Sequence, residues 1–396
     1  MISVEEAKNI ILNNTSVLGI QNIKVEDALN RTISEDVYAT IDIPMFDQAA
    51  MDGYGISHDT FIKGGGIFTA KEIAAGADSN DQFSEGEAIR IFTGAKIPEG
   101  IDTVIIQEDV SIANNEILLH SNSIIKGANV RKKGSQIKKG ECAIPKGTRL
   151  TPPLIGFLTS LGIKEINVFA IPGVNIIITG NELISVNDNL EGSKVFESNG
   201  ITLKSALQMM GIKDIYIHHC GDNKEALCEI LMKVIKTSNI IIITGGISVG
   251  KYDYTHSALE QINATELIYK VKQKPGKPMY VGKKGDVLVF GLPGNPAAVV
   301  SCFYNYVYPA IKSVCGEKIT SLKSVRLPLL DSFSKKQGLA NFLKASIHNN
   351  QLKIHNGQES NILNTFLDAD GLVYLSEEKE QVQAGEIAEI ILFPNT

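Results

Sequence analysis

Residues 245–251 read Gly245-Gly246-Ile247-Ser248-Val249-Gly250-Lys251, a G-x-x-x-x-G-K string that follows the apolar run NIIIIT and precedes a helix-like segment. Glycines at such a turn let backbone N–H groups approach a phosphate or another anion, so Gly245, Gly246, Ser248 and Gly250 are candidate anion-binding positions. Walker-type phosphoryl transfer also needs a Ser or Thr hydroxyl on Mg2+ after the lysine, and Tyr252 stands there instead. Two readings of the loop remain, an anion cradle and a tight strand–helix turn. Three carboxylates fall close to ends of apolar runs in the same region: Glu182 in ITGNEL, Asp222 in CGDNKE and Asp253 in GKYD. If they converge, they offer the oxygen ligands Mg2+ prefers and a bridge to phosphate. Asp253 and Asp222 also have a plainer role as helix caps, and Asp222-x-x-Glu225 has the form of an N-cap signal.

The stretch YKVKQKPGKP puts Lys270, Lys272 and Lys274 at every second position. On a strand their ammonium groups share one face at steps of about 6.6 Å. Like charges so placed repel unless they are solvated or paired with an anion. An oxyanion-binding face and an edge strand guarded by lysines fit the pattern equally. Pro275-Gly276 then turns the chain and brings in Lys277. GLPGNP follows the run VLVF; Pro296 suits a first helical turn and Gly294 a close backbone approach. Pro293, Gly294, Asn295 and Pro296 therefore form a second candidate anion-facing turn. The cluster Arg131-Lys132-Lys133 with Lys138-Lys139 has the composition of a solvated turn. His218-His219-Cys220 is not expected to hold zinc, because alternate strand side chains point to opposite faces.

The elements that must carry these residues show in the patterning. Ser3-Val4-Glu5-Glu6 has capping-box form ahead of Ala7, Ile10 and Ile11 at helical spacing. Between about residues 40 and 136, short apolar runs alternate with glycine turns, predicting a mostly β module. Residues 141–170 add a β-like stretch and the helix-like PPLIGFLTSLG. From 172 to 315, apolar strands alternate with helical patterns: strands at 174–178, 214–217 and NIIIIT, one helix after Ser198-Asn199 and a second that opens at 222–225 and carries Leu227, Ile230, Leu231 and Val234 inward. This order predicts an α/β doubly wound parallel sheet whose ligand sits at the C-terminal strand ends. The remainder from about 318 is strand-like and expected to close as a small β-barrel. The expected domains are 1–40 with 137–170 (domain I), 41–136 (domain II, inserted), 171–317 (domain III) and 318–396 (domain IV).

The chain has 396 residues, more than a single core supports, and 43% hydrophobic with 21% charged residues is a soluble globular composition. A net charge of −6 argues against a general nucleic-acid binder. Five cysteines without a C-x-x-C read as reduced, buried thiols. MISVEEAKNI lacks signal-peptide blocks, and no apolar run reaches the ~18 residues of a membrane span, so a cytoplasmic protein without membrane association is expected.

In this order the motifs resemble one family along nearly the whole chain. MFDQAAMDGYG (45–55) and TGAKIPEGIDTVIIQED (93–109) are similar to two family blocks. PPLIGFLTSLG, TGNEL, SNG, TGGISVGKYD, KPGKP and GLPGNPAA match others. The chain is thereby identified as a member of the MoeA-type molybdopterin molybdenumtransferases, whose relatives include the gephyrin E domain. The resemblance implies a four-part homodimer whose cleft joins the doubly wound domain of one subunit to the β module of the other. It implies adenylylated molybdopterin and molybdate as substrates, Mg2+ as cofactor, and transfer of molybdenum to the dithiolene sulfurs with release of AMP. A MogA-type adenylyltransferase and molybdoenzyme maturation proteins are implied partners. The family's functional residues fall here on Asp52, Thr93, Arg131, Glu182, Asp222, Asp253, Lys270, Lys274, Lys277, Pro293 and Pro296. Asp222 and Asp253 are the implied metal ligands; Lys344 and Ser360 match C-terminal substrate-binding positions.

Some positions depart from the family pattern. Gln136 stands where the family has an aspartate, Leu339 and Lys344 where it has arginines, and Glu359 where it has glycine ahead of Ser360. Lysine lacks the bidentate fork of arginine, which implies a looser oxyanion hold at Lys344.

Overall fold

The computed structural model describes residues 1–64, 67–72, 86–113, 116–120, 124–247 and 254–394. The chain divides into two compact units, one of Met1–Ser34, Gly147–Thr151 and Ile166–Thr396, the other of Glu35–Lys146 and Pro152–Glu165.

The first unit is organised around the expected doubly wound sheet. Its elements in chain order are β1 (Val174–Thr179), α1 (Asn199–Met209), β2 (Ile215–Cys220), α2 (Lys224–Val234), β3 (Ile240–Thr244), α3 (Tyr254–Gln261), β4 (Thr265–Tyr269), β5 (Tyr280–Lys284), β6 (Val287–Leu292) and α4 (Pro296–Cys302). The sheet order is β2-β1-β3-β6-β5-β4. β2, β1, β3 and β6 are mutually parallel, while β5 runs antiparallel to both β6 and β4. Every residue of β1 and β3 is buried, as their unbroken apolar runs require of strands covered on both faces. Alternation sorts them into two cores. Ile176, Ile178 and Ile242 pack with Leu203 and Leu207 of α1 on one face. Ile177, Ile241 and Ile243 pack with Leu227 and Leu231 of α2 on the other.

Chain direction fixes where a ligand can sit. From β1 the chain moves outward to β2, then returns to place β3 on the other side of β1, so the strand order reverses at the β1/β3 boundary. Such a boundary opens a crevice at the C-terminal strand ends, here beyond Thr179 and Thr244. The 270–279 connection emerges at the same edge, since Tyr269 pairs with Tyr280 and Tyr280 with Gly291 near the end of β6.

The C-terminal strands depart from expectation. Ala340–His348, Gly371–Leu375, Ile387–Leu392 and Ser324–Pro328 form one sheet, with Gln351–Ile354 paired to the first of them. A barrel requires its two edge strands to pair. Here one edge is the two-residue strand Gln273–Lys274, which belongs to the lysine loop, and the other is Ser324–Pro328. The continuation of Ser324–Pro328 touches Gln351–Ile354 only through the single Leu329–Leu352 bridge, so among the described residues no continuous ladder closes the sheet, and the expected closed barrel is corrected to an open, mixed sheet.

The second unit carries the mostly β module. Its six-stranded sheet runs Thr103–Ile106, Gly53–Ile56, Glu87–Ile91, Ile67–Glu72, Glu116–Leu119 and Val110–Ala113. Ile89, Ile91, Ile97 and Val104 form one of its cores. At the N-terminus of the chain, Ser3 Oγ accepts from the Glu6 N–H at 3.2 Å and caps Val4–Asn13, as the sequence indicates. Four cysteines are buried thiols, but Cys142 is exposed on a short edge strand, against the expectation of burial for all five. Among the described residues no helix is long and apolar enough to cross a membrane.

Candidate active site at the C-terminal strand ends

Asp222, Gly245, Gly246 and Gly294 follow the C-terminal ends of β2, β3 and β6, at one edge of one sheet. Gly245 and Gly246 have φ of +86° and +62°, conformations that an L side chain adopts only under strain. A Cβ on Gly245 would collide with the Thr179 carbonyl oxygen, and one on Gly294 would lie 3.7 Å from Gly245 Cα. The two turns thus face each other as nearly bare backbone. Ser248, Gly250 and Asp253 lie outside the described residues. Asn199, the first residue of α1, ties the crevice together by donating from Nδ2 to the Gly294 carbonyl at 2.9 Å. Its Oδ1 and the hydroxyl of Thr244 are buried without a hydrogen-bond partner among the described residues. Buried polar atoms of this kind are normally satisfied, so these two acceptors are available to a water or a bound group at the strand edge.

The capping reading of Asp222 does not hold. Asn223 is the N-cap of α2, its side chain accepting from the Ala226 N–H at 2.8 Å. Asp222 instead exchanges hydrogen bonds with Asn181 across the β1/β2 ends. Its Oδ2 accepts from the Asn181 N–H, and its own N–H donates to Asn181 Oδ1, each at 3.2 Å. A Cβ on Gly221 would sit 2.6 Å from Asn181 Oδ1, so this exchange needs glycine there. Glu182 is exposed and folds back over its own turn, its carboxylate within 3.0 Å of where a Gly180 Cβ would be. Asp222 fits a hard cation: a carboxylate at the crevice whose Oδ1 has no partner among the described residues. No group of three His, Cys, Asp or Glu ligands is assembled among the described residues.

The lysine loop is not the strand its period-two pattern suggests. β4 ends at Tyr269, and Lys270 has φ +69°, which breaks the pleat. The three ammonium groups therefore do not line one face of a strand. Lys270 lies over the Tyr269 ring at 4.2 Å, and Lys272 faces Glu377 at 3.9 Å. Lys274 is exposed and Lys277 half-buried, and neither ammonium has a partner among the described residues. Of the four lysines, these two lack even a ring or carboxylate contact among the described residues, while the Lys270 ammonium keeps its donors free of any hydrogen bond there. Sequence reasoning missed what holds them: Gln273, whose side chain is buried behind the loop.

The Pro293–Pro296 turn also differs from expectation. The first-turn N–H groups of Ala297 and Ala298 donate to the Ser360 carbonyl at 2.9 and 3.3 Å, and Asn295 Nδ2 donates to Ser360 Oγ at 2.8 Å. The chain itself therefore fills the anion-facing end of α4, and the structure joins Asn295 and Ser360 as a cap. Pro296 occupies the first helical turn, as its fixed φ favours, and Pro293 is buried. Lys344 is only 4% exposed, with Nζ donating to the Ile362 carbonyl at 2.9 Å and to that of Glu359 at 3.5 Å. Burial pushes its pKa down, partly offset by Glu359. The residue expected to bind an oxyanion loosely is instead an internal cation that fastens the 359–362 segment. That segment carries Ser360 to its capping position.

Asp52, Thr93 and Arg131 belong to the second unit and are tied together there. Asp52 Oδ1 accepts from both the Thr93 N–H, at 2.7 Å, and its hydroxyl, at 2.8 Å. Arg131 pairs in register with Gln48, and the neighbouring Ala49 carbonyl accepts from the Gly94 N–H, one residue past Thr93. Lys132 and Lys133 are bound to Asp47 and Asp42, as in a solvated turn, whereas Arg131 is exposed with no side-chain partner among the described residues. The Thr93 N–H, then its hydroxyl, with Arg90 behind them, hold the Asp52 carboxyl below its ordinary range. A depressed folded value means that this contact stabilises the fold above the ordinary carboxylate range, and that the contribution is lost as pH falls through the folded value. Thr93→Val keeps the N–H and removes the hydroxyl, so Asp52 should titrate at higher pH than in the native protein. Carboxyl 13C NMR reads this directly, and an unmoved titration would show that the hydroxyl does not act on Asp52.

His218 and Cys220 have protein partners of their own. His218 Nε2 bonds Asn175 Oδ1 at 2.7 Å, and Cys220 is buried beside the Asn223 carbonyl.

Comparison with known proteins places these features in context. Residues 2–162 match the MoeA N-terminal region (domain I and II), 175–313 a probable molybdopterin binding domain, and 326–393 the MoeA C-terminal region (domain IV). The chain is 31% identical to a molybdopterin molybdenumtransferase of Staphylococcus epidermidis, over 99% of this chain and 95% of that one. It is 29% identical to the protein of that name from Haemophilus influenzae, over 98% of each. Its structure resembles the molybdopterin biosynthesis MoeA protein of Pyrococcus horikoshii OT3, with a TM-score of 0.84 at 28% identity, over 99% of this chain and 100% of that one.

Proposed function

The chain belongs to the MoeA family of molybdopterin molybdenumtransferases, and on that premise we propose that it inserts molybdenum into molybdopterin during molybdenum cofactor biosynthesis. In this reading the substrate is the adenylylated pterin, and the phosphoanhydride to AMP is broken as molybdate is transferred to the dithiolene sulfurs. The observation that carries the reading is the crevice at the β1/β3 boundary. Bare glycine turns at Gly245–Gly246 and Gly294, the Asp222 carboxylate and the Lys274–Lys277 loop all emerge at that edge of the sheet.

Each residue then has a definite task. The bare backbone at Gly245, Gly246 and Gly294 admits a phosphate group closely, and Asn199 Oδ1 and Thr244 Oγ1 offer acceptors to a donor on the ligand. Lys274 and Lys277 balance the charge of the phosphate and the molybdate oxyanion, a charge that grows on the departing phosphate as the anhydride breaks. Asp222 and Asp253 would hold Mg2+, which when bound supplies charge neutralisation across the phosphates. Asp52, held ionised by Thr93, and Arg131 form a second functional cluster on the β module. A homodimer, a MogA-type adenylyltransferase supplying the substrate and molybdoenzyme maturation proteins receiving the product belong to the same proposal. So does a cytoplasmic location, with which four buried, unpaired cysteine thiols accord.

Lys274→Ala tests the reading at its most accessible residue. Because Lys274 is exposed, its loss should leave the melting temperature within about 2 °C of the native value. Molybdate binding should weaken about tenfold, as expected for loss of a charge-assisted contact. Native affinity in that variant, measured by calorimetry, would remove the lysine loop from the site.

A further inference from the structure

We propose that Gln273 and Tyr306 are positioning residues, which fix the loop bearing Lys274 and Lys277 onto the helix that starts at the Pro293–Pro296 turn and so aim its ammonium groups at the bound oxyanion. The inference rests on the reading of those lysines as oxyanion ligands.

Gln273 is 0% exposed although its neighbour Lys274 is exposed. A buried primary amide is costly unless its donors and acceptor are matched, so the contacts it makes define what it is for. Nε2 donates to the Gly276 carbonyl at 3.1 Å and touches Cys302 Sγ at 3.5 Å, while Oε1 accepts from the Tyr306 hydroxyl. Chemistry fixes the sense of this amide. The Gly276 carbonyl can only accept, so the NH2 must face it and the oxygen must face the phenol. Burial keeps Tyr306 protonated well above the ordinary phenol range, which preserves its O–H as a donor, and holds the Cys302 thiol up to about 12, neutral beside the amide.

The loop is seated at a second point. Gly276 has φ +87°, and a Cβ there would collide with Cys302 Sγ. Cys302 closes α4, and Tyr306 lies in the π-helical stretch Phe303–Val307 that continues it. One helix therefore carries the Asn295–Ser360 cap at its start and the seat of the lysine loop farther along. Gln273 and Lys274 are also paired with Ala340 and Asn341 of the C-terminal sheet. The backbone between Lys274 and Lys277 is held from two sides, while neither ammonium has a protein partner among the described residues. A fixed base beneath free cations is the arrangement that preorganises an oxyanion site.

A double-mutant cycle on the full-length protein separates positioning from mere packing, with molybdate alone as the probe in calorimetry. Tyr306→Phe deletes one oxygen and keeps the ring in place. It should weaken molybdate binding about three- to tenfold, the loss of one hydrogen bond expressed in affinity. Gln273→Leu should weaken it further, and if that variant does not fold, Tyr306→Phe decides alone. In the Lys274→Ala background, the effect of Tyr306→Phe should shrink, because the phenol acts through that loop. A packing role changes stability without this coupling. Losses that multiply independently, or native affinity in Tyr306→Phe while Lys274→Ala is impaired, would overturn the positioning role and leave the oxyanion reading intact. Native affinity in Lys274→Ala would overturn both.

Discussion

Gly245→Ala is expected to cost about 2–4 kcal/mol of stability and to abolish ligand binding in the fraction that folds. Two penalties combine: the left-handed backbone at φ +86°, and a Cβ driven into the Thr179 carbonyl oxygen. That oxygen belongs to β1, whose backbone is fixed by neighbours on both sides, so it cannot yield. Adjacent positions supply controls. At Gly246 (φ +62°) the nearest obstacles are the Thr255 and Thr179 hydroxyls at 2.8 and 3.0 Å, side-chain atoms rather than backbone, so Gly246→Ala should cost about half as much. Among the described residues Gly294→Ala meets only Gly245 Cα at 3.7 Å, so its stability should change little while the added methyl narrows the crevice. Thermal unfolding and calorimetry across the three variants check the order. Equal stability losses at Gly245 and Gly294 would contradict the packing described for the two turns.

Asp222→Ala should reduce single-turnover molybdenum transfer on the order of 10²-fold or more, as removal of a group that organises transition-state charge does. Its melting temperature should fall less than that of Asn223→Ala, because Asn223 supplies the cap of α2. Loss of that cap costs about 1 kcal/mol. The pair therefore separates chemistry from folding at adjacent residues. If Asp222→Ala destabilised as much as Asn223→Ala and turned over normally, Asp222 would be a structural residue linking β1 and β2 through Asn181.

The doubly wound sheet was legible because its strands are unbroken apolar runs and its helices carry one-sided patterns, signals that survive without knowledge of contacts. The site was legible only where local chemistry decides it, as in the glycines that require positive φ. Asp222 and Asn223 compete for one cap on equal terms in sequence, and only geometry shows which side chain turns toward the helix. The period-two lysines suggested a strand, but a single left-handed residue, Lys270, cancels that pattern. Lys344 sits in a strand of six consecutive buried residues, where carbonyls from residues 15 and 18 positions away receive its ammonium. Gln273 looks like one more polar residue among lysines, because its partners Cys302 and Tyr306 lie 29 and 33 residues downstream. The C-terminal barrel failed for a related reason: strand count does not say whether edges meet, and one edge is occupied from outside the segment.

The most direct test is a single-turnover reaction of the purified protein with adenylylated molybdopterin, Mg2+ and molybdate, following AMP release and pterin-bound molybdenum together, with Asp253→Ala as control. The account predicts AMP release that depends on molybdate, molybdenum retained on the pterin, and loss of both in the control. Tight pterin binding with neither AMP release nor metal transfer would contradict it, and would make the protein a carrier built on the same fold.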